Sequence, residues 1–238
     1  MGGGSRFAEL LRRVRRKERP AVAEVRDTHR KALDSGEWTQ PIRTVTFTAL
    51  DCETTGPDPA RDQIRSIGAV RIRDNRIALG ERFYQAFGDA RSASSAEITV
   101  TRGLDREGLS HATPLPDTLE RLIAFIGDSV VVCHGAERSV QFLNAALAAG
   151  AGGVLEAPAV DTRPLYQWSR RARSLPEAPS TELSLEDMAA EMRLPRYLAH
   201  HAFYDALTTG LAFLKLLAEL ESSGALQFQA LYREAGVY

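Results

Sequence analysis

Two carboxylates lie close together where an apolar segment of the chain ends. Residues 44–50 are rich in β-branched and apolar side chains, and the sequence continues as Asp51-Cys52-Glu53-Thr54-Thr55-Gly56. In an extended strand, Asp51 and Glu53 point to the same side because successive side chains alternate. Such carboxylates repel each other unless a cation lies between them, and their hard oxygens favour Mg²⁺ or Mn²⁺. The alternative is a strand end with two solvated acids and a polar turn.

A second cluster of polar residues lies far along the chain, at His200-His201-Ala202-Phe203-Tyr204-Asp205. The apolar periodicity after it predicts a helix over residues 202–221, with Leu207, Leu211, Leu214 and Leu217 on one face. Asp205 in the first turn of that helix can reach a metal. His200 in the preceding loop can take a proton, since imidazole titrates near neutral pH. Taken alone, two histidines before a helix are usually surface residues.

The elements that would position these residues predict a mixed α/β fold. The predicted strands are residues 44–50, 64–73, 77–86, 130–133 and 157–160. The predicted helices are residues 116–127, a segment through Phe142 and Leu147, a helix opened by a capping box at Ser184 and Asp187, and residues 202–221. A turn at Asp74-Asn75 makes the first three strands an antiparallel meander. Helices and strands then alternate, which indicates parallel strands flanked by helices.

Composition sets broad limits on the class of protein. The chain has 238 residues and a net charge of −1, which neither favours nor excludes a nucleic-acid partner. The two cysteines, Cys52 and Cys133, lie in apolar runs that predict buried strands rather than a disulfide framework. No apolar stretch approaches the ~20 residues of a membrane span, and no signal-peptide core is present. We therefore expect a cytoplasmic protein without a zinc ribbon or a transmembrane segment.

The chain divides into three expected parts. Residues 1–40 form a basic extension in which Phe7, Leu10 and Val14 recur at helical spacing among arginines. This amphipathic helix is interpreted as packing on the main domain or on a protein partner, as contacting nucleic-acid phosphates, or as lying on a membrane surface. Residues 41–222 form the main domain, and residues 223–238 are assigned to a C-terminal tail.

Together the two polar clusters resemble motifs of a known family. Asp51-x-Glu53-Thr54-Thr55-Gly56 resembles the first motif of the DnaQ-like 3′→5′ exonucleases. His200-x-Ala202-x-x-Asp205 resembles the third motif of their histidine-containing, DEDDh subclass. The family includes the proofreading subunit of bacterial replicative polymerases, and the resemblance extends over residues 42–221. Pro57 departs from the pattern, in which an apolar residue usually follows the glycine.

The resemblance implies a ribonuclease-H-like fold and hydrolysis of the 3′-terminal phosphodiester with two metal ions, Mg²⁺ or Mn²⁺. It assigns Asp51, Glu53 and Asp205 as metal ligands, with Asp51 shared by both metals. His200 becomes the general base. Thr54, Thr55 and Gly56 become the contacts to the terminal nucleotide. The implied partner is nucleic acid with a 3′ end, single-stranded DNA before RNA.

The middle motif departs from the family pattern. The family has His-Asn-Ala-x-Phe-Asp, and this chain has His134-Gly135-Ala136-Glu137-Arg138-Ser139. Ser139 therefore occupies the position of a metal-binding aspartate, so the second metal is expected to bind weakly. Glu137, if it lies in the loop before the helix, is a possible substitute ligand, and Asp161 is either another acid near the site or a helix cap.

Two hypotheses follow from this departure. One is a working exonuclease, slower or with an altered metal requirement. The other is a pseudo-exonuclease that binds nucleic-acid ends or a protein without cutting. The intact Asp51, Glu53, His200 and Asp205 favour catalysis.

Overall fold

The computed structural model describes one α/β unit built on a single sheet. It covers residues 41–87, 114–150, 153–155, 157–176, 183–222 and 226–237. The strands are β1 Phe47–Thr54, β2 Ile64–Arg73, β3 Arg76–Ala86, β4 Val130–Cys133, β5 Ala159–Asp161 and β6 Gly236–Val237. The helices are α1 Leu115–Ile126, α2 Ala136–Gly150, α3 Thr162–Ala172, α4 Leu185–Glu191, α5 Ala202–Ser222 and α6 Phe228–Ala235. A short 3-10 helix, Ile42–Thr44, precedes β1.

Over the described residues the sheet has six strands in the order β3-β2-β1-β4-β5-β6. The first three strands form an antiparallel meander, whose tight turn is made by Asp74 and Asn75 at φ of 50° and 56°. Aspartate and asparagine tolerate this left-handed conformation better than most residues. Strand β1 also pairs in parallel with β4, and β4 with β5, while β6 adds an antiparallel edge. The predicted mixed sheet of a meander plus parallel strands is confirmed.

The two faces of the sheet are covered by different helices because buried side chains alternate along each strand. On one face, strand residues including Phe47, Ala49 and Val132 pack against α3, α5 and α6. On the other, residues including Leu50 and Val131 pack against α1 and α2. Central strands buried on both faces explain the continuous apolar runs at β1 and β4.

A buried arginine connects the meander to the end of α1. Arg71 on β2 donates hydrogen bonds through Nη1 to Thr48 Oγ1 at 2.6 Å and Ser129 Oγ at 2.8 Å, and through Nη2 to the Phe125 carbonyl. The side chain is 9% exposed, and Glu81 Oε2 lies 3.7 Å from Arg71 Nε. Removal of its charge from water lowers the pKa of Arg71. The network fixes the position of α1 on the sheet.

Several sequence expectations require correction. Strand β1 does not end at Asp51 but continues to Thr54, because its antiparallel pairing with β2 extends that far. On α5, Leu207 and Leu217 of the predicted face are buried, but Leu211 and Leu214 are only half-buried, and Ala206 and Phe213 are buried beside them. Residues 226–237, assigned by sequence to a tail, form α6 and β6, and Phe228 and Leu231 enter the core. The predicted basic helix in residues 1–40 lies outside the described residues.

None of the helices in the described part of the chain is long and apolar enough to cross a membrane.

Candidate active site

The two carboxylates of the first motif lie on the open end of the central strand β1. Strand β4 pairs with β1 only from Phe47 to Ala49, so the residues that follow have no parallel neighbour and face a cleft. Asp51 pairs with Gly68 of β2 and Glu53 with Ser66, so both keep extended backbone and point to the same side. The cleft opens into a cavity of about 530 Å³, lined by both carboxylates and by Thr54.

The start of α5 brings Asp205 to this cleft. Gly68 makes the approach possible, because a Cβ built there would lie 2.3 Å from the backbone carbonyl of Ala202. Helix α5 therefore rests directly on the β2 backbone beside Asp51. The Asp205 amide donates to the His201 carbonyl at 2.9 Å, which places the Asp205 side chain one turn into the helix. Gly68 and Ala202, which are in contact here, lie 134 positions apart in the sequence.

His200 stands at the mouth of the cavity, with its side chain 84% exposed. Its backbone has a φ of 57°, which turns the chain sharply just before α5. The next residue, His201, is buried and anchors the turn, since its ring stacks on Tyr84 at 4.7 Å and contacts Tyr204 at 5.1 Å. Ligand atoms of Glu53, His200 and Asp205 all lie within 4.8 Å of one another.

The crowding of these acids has an electrostatic consequence. Burial, and next the charge of Glu53, raises the pKa of Asp51 from 3.8 to about 7. Burial, and next the charge of Asp51, raises the pKa of Asp205 to about 8. A cation bound between these carboxylates would offset the burial and the mutual repulsion that raise their pKa values. The carboxylate oxygens of Asp51, Glu53 and Asp205 are hard donors of the kind that fits Mg²⁺ or Mn²⁺.

The middle motif brings no further carboxylate to the cavity. Ser139 lines it, but its residue is 8% exposed and its hydroxyl is hydrogen-bonded to the Cys133 thiol. Glu137 is exposed outside the cavity wall, where its carboxylate accepts a hydrogen bond from Gln141 at 3.1 Å. The suggested substitution by Glu137 is therefore not seen. Within the described residues, one group of acids and histidines has the spacing of a metal site, and it consists of Glu53, His200 and Asp205. Glu137 is not part of it, and Asp51 lies outside the group but lines the same cavity.

Asp161 acts as a helix cap and loop brace rather than a ligand. Its carboxylate accepts from the backbone amides of Gly135 and Ala136 at 3.1 and 2.9 Å, and from the Arg163 amide at 2.9 Å. The Arg163 guanidinium pairs with the same carboxylate at 3.1 Å. Although burial opposes it, hydrogen bonding by Arg163 and the loop amides lowers the pKa of Asp161. The predicted cap on α3 is confirmed.

His134 fastens the loop before α4 to the same region. Its Nε2 lies 2.8 Å from the Leu183 carbonyl, which only accepts, so Nε2 carries the proton and donates. Its Nδ1 then accepts from the Thr162 hydroxyl at 2.9 Å. Burial lowers the pKa of His134, which agrees with a neutral ring. The tether holds residues 183–186 against the cavity.

Three charged residues on the cavity wall were not assigned a role from the sequence: Arg138, Arg163 and Glu186. Glu186 reaches the site through the His134 tether, and its Oε1 lies 3.8 Å from His200 Nε2. The sequence did not indicate that Glu186 reaches the cavity, because the hydrogen bond that holds this loop in place joins His134 and Leu183, which are 49 residues apart. Of the expected nucleotide contacts, Thr54 lines the cavity. The Thr55 hydroxyl binds Asp62 in the adjoining loop, and Gly56 lies in the same loop.

A mixed α/β sheet with acids at the open end of its central strand and at the start of a crossing helix is an arrangement of the ribonuclease-H-like fold class. The chain belongs to the exonuclease family RNase_T, whose sequence model matches residues 48–213. Among curated relatives, the PolC-type DNA polymerase III of Thermotoga petrophila is 30% identical over 179 residues. That match covers 75% of this chain but 12% of the polymerase, so the chain spans a small part of such relatives.

Solved structures share the fold at low identity. Escherichia coli exonuclease I in complex with a dA16 oligonucleotide has a TM-score of 0.52 at 13% identity, covering 75% of this chain and 41% of that one. The nuclease domain of 3′hExo, a DEDDh family member bound to rAMP, has a TM-score of 0.54 at 13% identity, covering 76% and 95%. Pop2p of S. pombe, in its Mg²⁺- and Mn²⁺-bound form, scores 0.54 at 14% identity, covering 90% and 95%. The expected DnaQ-like, DEDDh-type family is confirmed.

Proposed function

We propose that this chain is a metal-dependent 3′→5′ exonuclease that releases nucleotides one at a time from the 3′ end of nucleic acid, DNA in preference to RNA. The observation that carries the proposal is the convergence of Glu53, His200 and Asp205 within 4.8 Å beside Asp51, at the mouth of an open cavity. Membership of the exonuclease family supports the reaction class. The preference for DNA is supported by relatives that are DNA polymerases.

The proposed metal ligands are Asp51, Glu53 and Asp205. A bound Mg²⁺ or Mn²⁺ supplies Lewis-acid stabilisation of the phosphate charge and makes a coordinated water more acidic. The exposed His200 imidazole, within reach of the same acids, accepts a proton from the attacking water. Glu186 at 3.8 Å from His200 Nε2 stabilises the imidazolium that results.

The bond changes in the proposed reaction balance as a hydrolysis. The water oxygen bonds to phosphorus, and its proton goes to His200. The bond between phosphorus and the 3′ oxygen of the preceding nucleotide breaks, and that oxygen takes a proton from solvent. The products are a nucleoside 5′-monophosphate and a chain shorter by one nucleotide with a free 3′ hydroxyl. The Thr54 side chain, on the cavity wall, is proposed to contact the terminal nucleotide, with Thr55 and Gly56 shaping the loop beside it.

The test is digestion of 5′-labelled single-stranded DNA and RNA of the same sequence, with Mg²⁺ and then Mn²⁺. The expected result is a ladder of products shortened from the 3′ end, faster on DNA, that disappears in Glu53→Ala. Asp74→Asn is the matched control, since it removes a carboxylate from the exposed turn at the opposite end of the sheet. A ladder that persists in Glu53→Ala, or products that lose their 5′ label first, would contradict the assignment.

A second function is favoured by one observation, the burial of Ser139 against Cys133 where the family has an acid. In that case the chain binds 3′ ends without cutting them. The distinguishing variant is Ser139→Asp. If the native protein does not cleave nucleic acid and Ser139→Asp does, the fold is preserved and the activity was lost with the metal-binding carboxylate at this position.

A further inference from the structure

Arg138 occupies the cavity wall where the family motif would provide part of a metal site. It lies in the first turn of α2, next to Ser139, and lines the same cavity as Asp51 and Glu53. The residue is exposed, and among the described residues its guanidinium makes no ion pair or hydrogen bond. Arg163 on the same wall differs, because its guanidinium is already paired with Asp161 at 3.1 Å. Of the two arginines on this wall, Arg138 is therefore the one whose guanidinium is free to bind a ligand.

The charge of Arg138 acts on the carboxylate that two metals would share. Arg138 and Asp51 line the same cavity, and the positive charge of Arg138 attracts the Asp51 carboxylate. A cation on the α2 side of Asp51 is where the second metal of the family mechanism would contribute its charge. Arg138 therefore already supplies positive charge on this side of the cavity.

A second metal ion lacks the ligand it would need on this side. The hydroxyl of Ser139 is buried against Cys133, and a neutral hydroxyl is in any case a poorer ligand than a carboxylate for Mg²⁺. Glu137 is turned out to Gln141. The residues present fit one metal at Glu53 and Asp205, and they do not fit a second metal beside α2.

We propose that the active site holds a single catalytic metal and that the Arg138 guanidinium takes the place of the second, by binding the scissile phosphate. This inference rests on the proposed exonuclease function and specifies how its site recognises the substrate. A guanidinium offers two parallel N–H groups to two phosphate oxygens, which fixes the phosphate as well as neutralising it. Its charge also stabilises the extra negative charge of the pentacovalent transition state. Arg138 would then be a catalytic residue.

The first test counts metal ions without any cleavage. Mn²⁺ is titrated into the protein and free Mn²⁺ is followed by electron paramagnetic resonance. The expected stoichiometry is one ion per chain for the native protein and for Arg138→Gln. Arg138→Phe combined with Ser139→Asp restores the family residues at both positions and is expected to bind two. Two ions of comparable affinity in the native protein would overturn the proposal.

The second test measures phosphate recognition with thymidine 5′-monophosphate, by calorimetry in the presence of Mn²⁺. Arg138→Gln is expected to weaken binding about tenfold or more, the value of one charge-assisted hydrogen bond. Arg138→Lys keeps the positive charge but loses the two parallel N–H groups, so its affinity should lie between those of the native protein and Arg138→Gln. Arg76→Gln is the matched control, an exposed arginine at the far end of the sheet. Equal affinity of Arg138→Gln and Arg76→Gln would refute the role.

The outcomes separate this inference from the proposed function. Arg138→Gln is expected to slow cleavage about 10²-fold, as loss of a transition-state donor does elsewhere. Cleavage that depends on Glu53 but not on Arg138 would refute the inference and leave the exonuclease intact. One Mn²⁺ with Arg138-dependent nucleotide binding, but no cleavage of any substrate, would refute the exonuclease and leave the phosphate site standing.

Discussion

Gly68→Ala is a substitution outside the cavity wall that should disable the site. Gly68 lies on β2 opposite Asp51, and a Cβ there would lie 2.3 Å from the Ala202 carbonyl carbon and oxygen and from the Phe203 nitrogen. Non-bonded carbon atoms settle at about 3.5–4.0 Å. The added methyl group therefore has to push the start of α5 away from the sheet by about 1 Å or more.

The displaced segment carries two of the proposed catalytic groups, His200 and Asp205. Misplacement of a reacting group by about 1 Å costs on the order of 10² in rate. We therefore expect Gly68→Ala to lower kcat/KM about 100-fold. Overpacking should also lower the free energy of unfolding by about 1–3 kcal/mol, which is a decrease of several degrees in Tm for a domain of this size.

The assay is release of nucleotides from 5′-labelled single-stranded DNA, with Tm measured before and after addition of Mn²⁺. Gly80→Ala is the matched control, because a Cβ on Gly80 meets nothing within 4 Å. It should leave the rate and the Mn²⁺ response unchanged. A folded Gly68→Ala protein with native kcat/KM and a native Mn²⁺ response would refute the reasoning, since α5 would then not be positioned by this contact.

Three further predictions concern charge. Mn²⁺ should raise Tm, and Asp51→Asn should remove most of that increase, because the ion binds the folded state through this carboxylate. Without metal, the unfolding free energy should fall as pH rises from about 4 to about 7, by up to about 4 kcal/mol for Asp51, since the folded state holds a proton that the unfolded state releases. Arg71→Ala should destabilise the fold by about 3 kcal/mol, measured by urea denaturation, because it breaks a buried charged network.

Each has a control or a contrary outcome. Asp74→Asn should keep the full Mn²⁺ response, and an equal loss in both variants would place the metal elsewhere. In EDTA, Asp51→Asn should be more stable than the native protein at pH 8 and closer to it at pH 5. A constant difference between the two pH values would contradict the raised pKa of Asp51. For Arg71, the exposed Arg76→Ala substitution is the control. If both substitutions lower the free energy of unfolding equally, the buried hydrogen-bond network does not contribute to stability.

Much of the fold follows from local patterns in the sequence. The alternation in Ile64–Arg73 and the turn residues Asp74 and Asn75 predict the meander, and the structure has β2 at those bounds. The cap at Ser184 is equally local, since its hydroxyl accepts from the Asp187 amide at 3.0 Å. Asp51 and Glu53 could be paired from the sequence because the period of a strand places them on one side.

The parts that were missed depend on contacts between distant residues. Leu211 and Leu214 share a helical face by spacing, but the close approach at Gly68 and at Gly210 rotates the buried face of α5 toward Ala206 and Phe213. Glu186 reaches the cavity only because the His134 imidazole holds Leu183. Phe228 and Leu231 enter the core because β6 joins β5, a pairing of two residues that no pattern in a short segment reveals.

Gly135 has a consequence for how this site could change over evolutionary time. Its φ is 80°, and a Cβ there would lie 3.0 Å from Arg163 Nη2, which in turn pairs with Asp161. The asparagine that the family carries at this position would meet that guanidinium. Introducing the family motif residue by residue therefore requires the Arg163 guanidinium to shift from its place beside Asp161. The altered middle motif and Arg163 are expected to be inherited together, as a single unit of change.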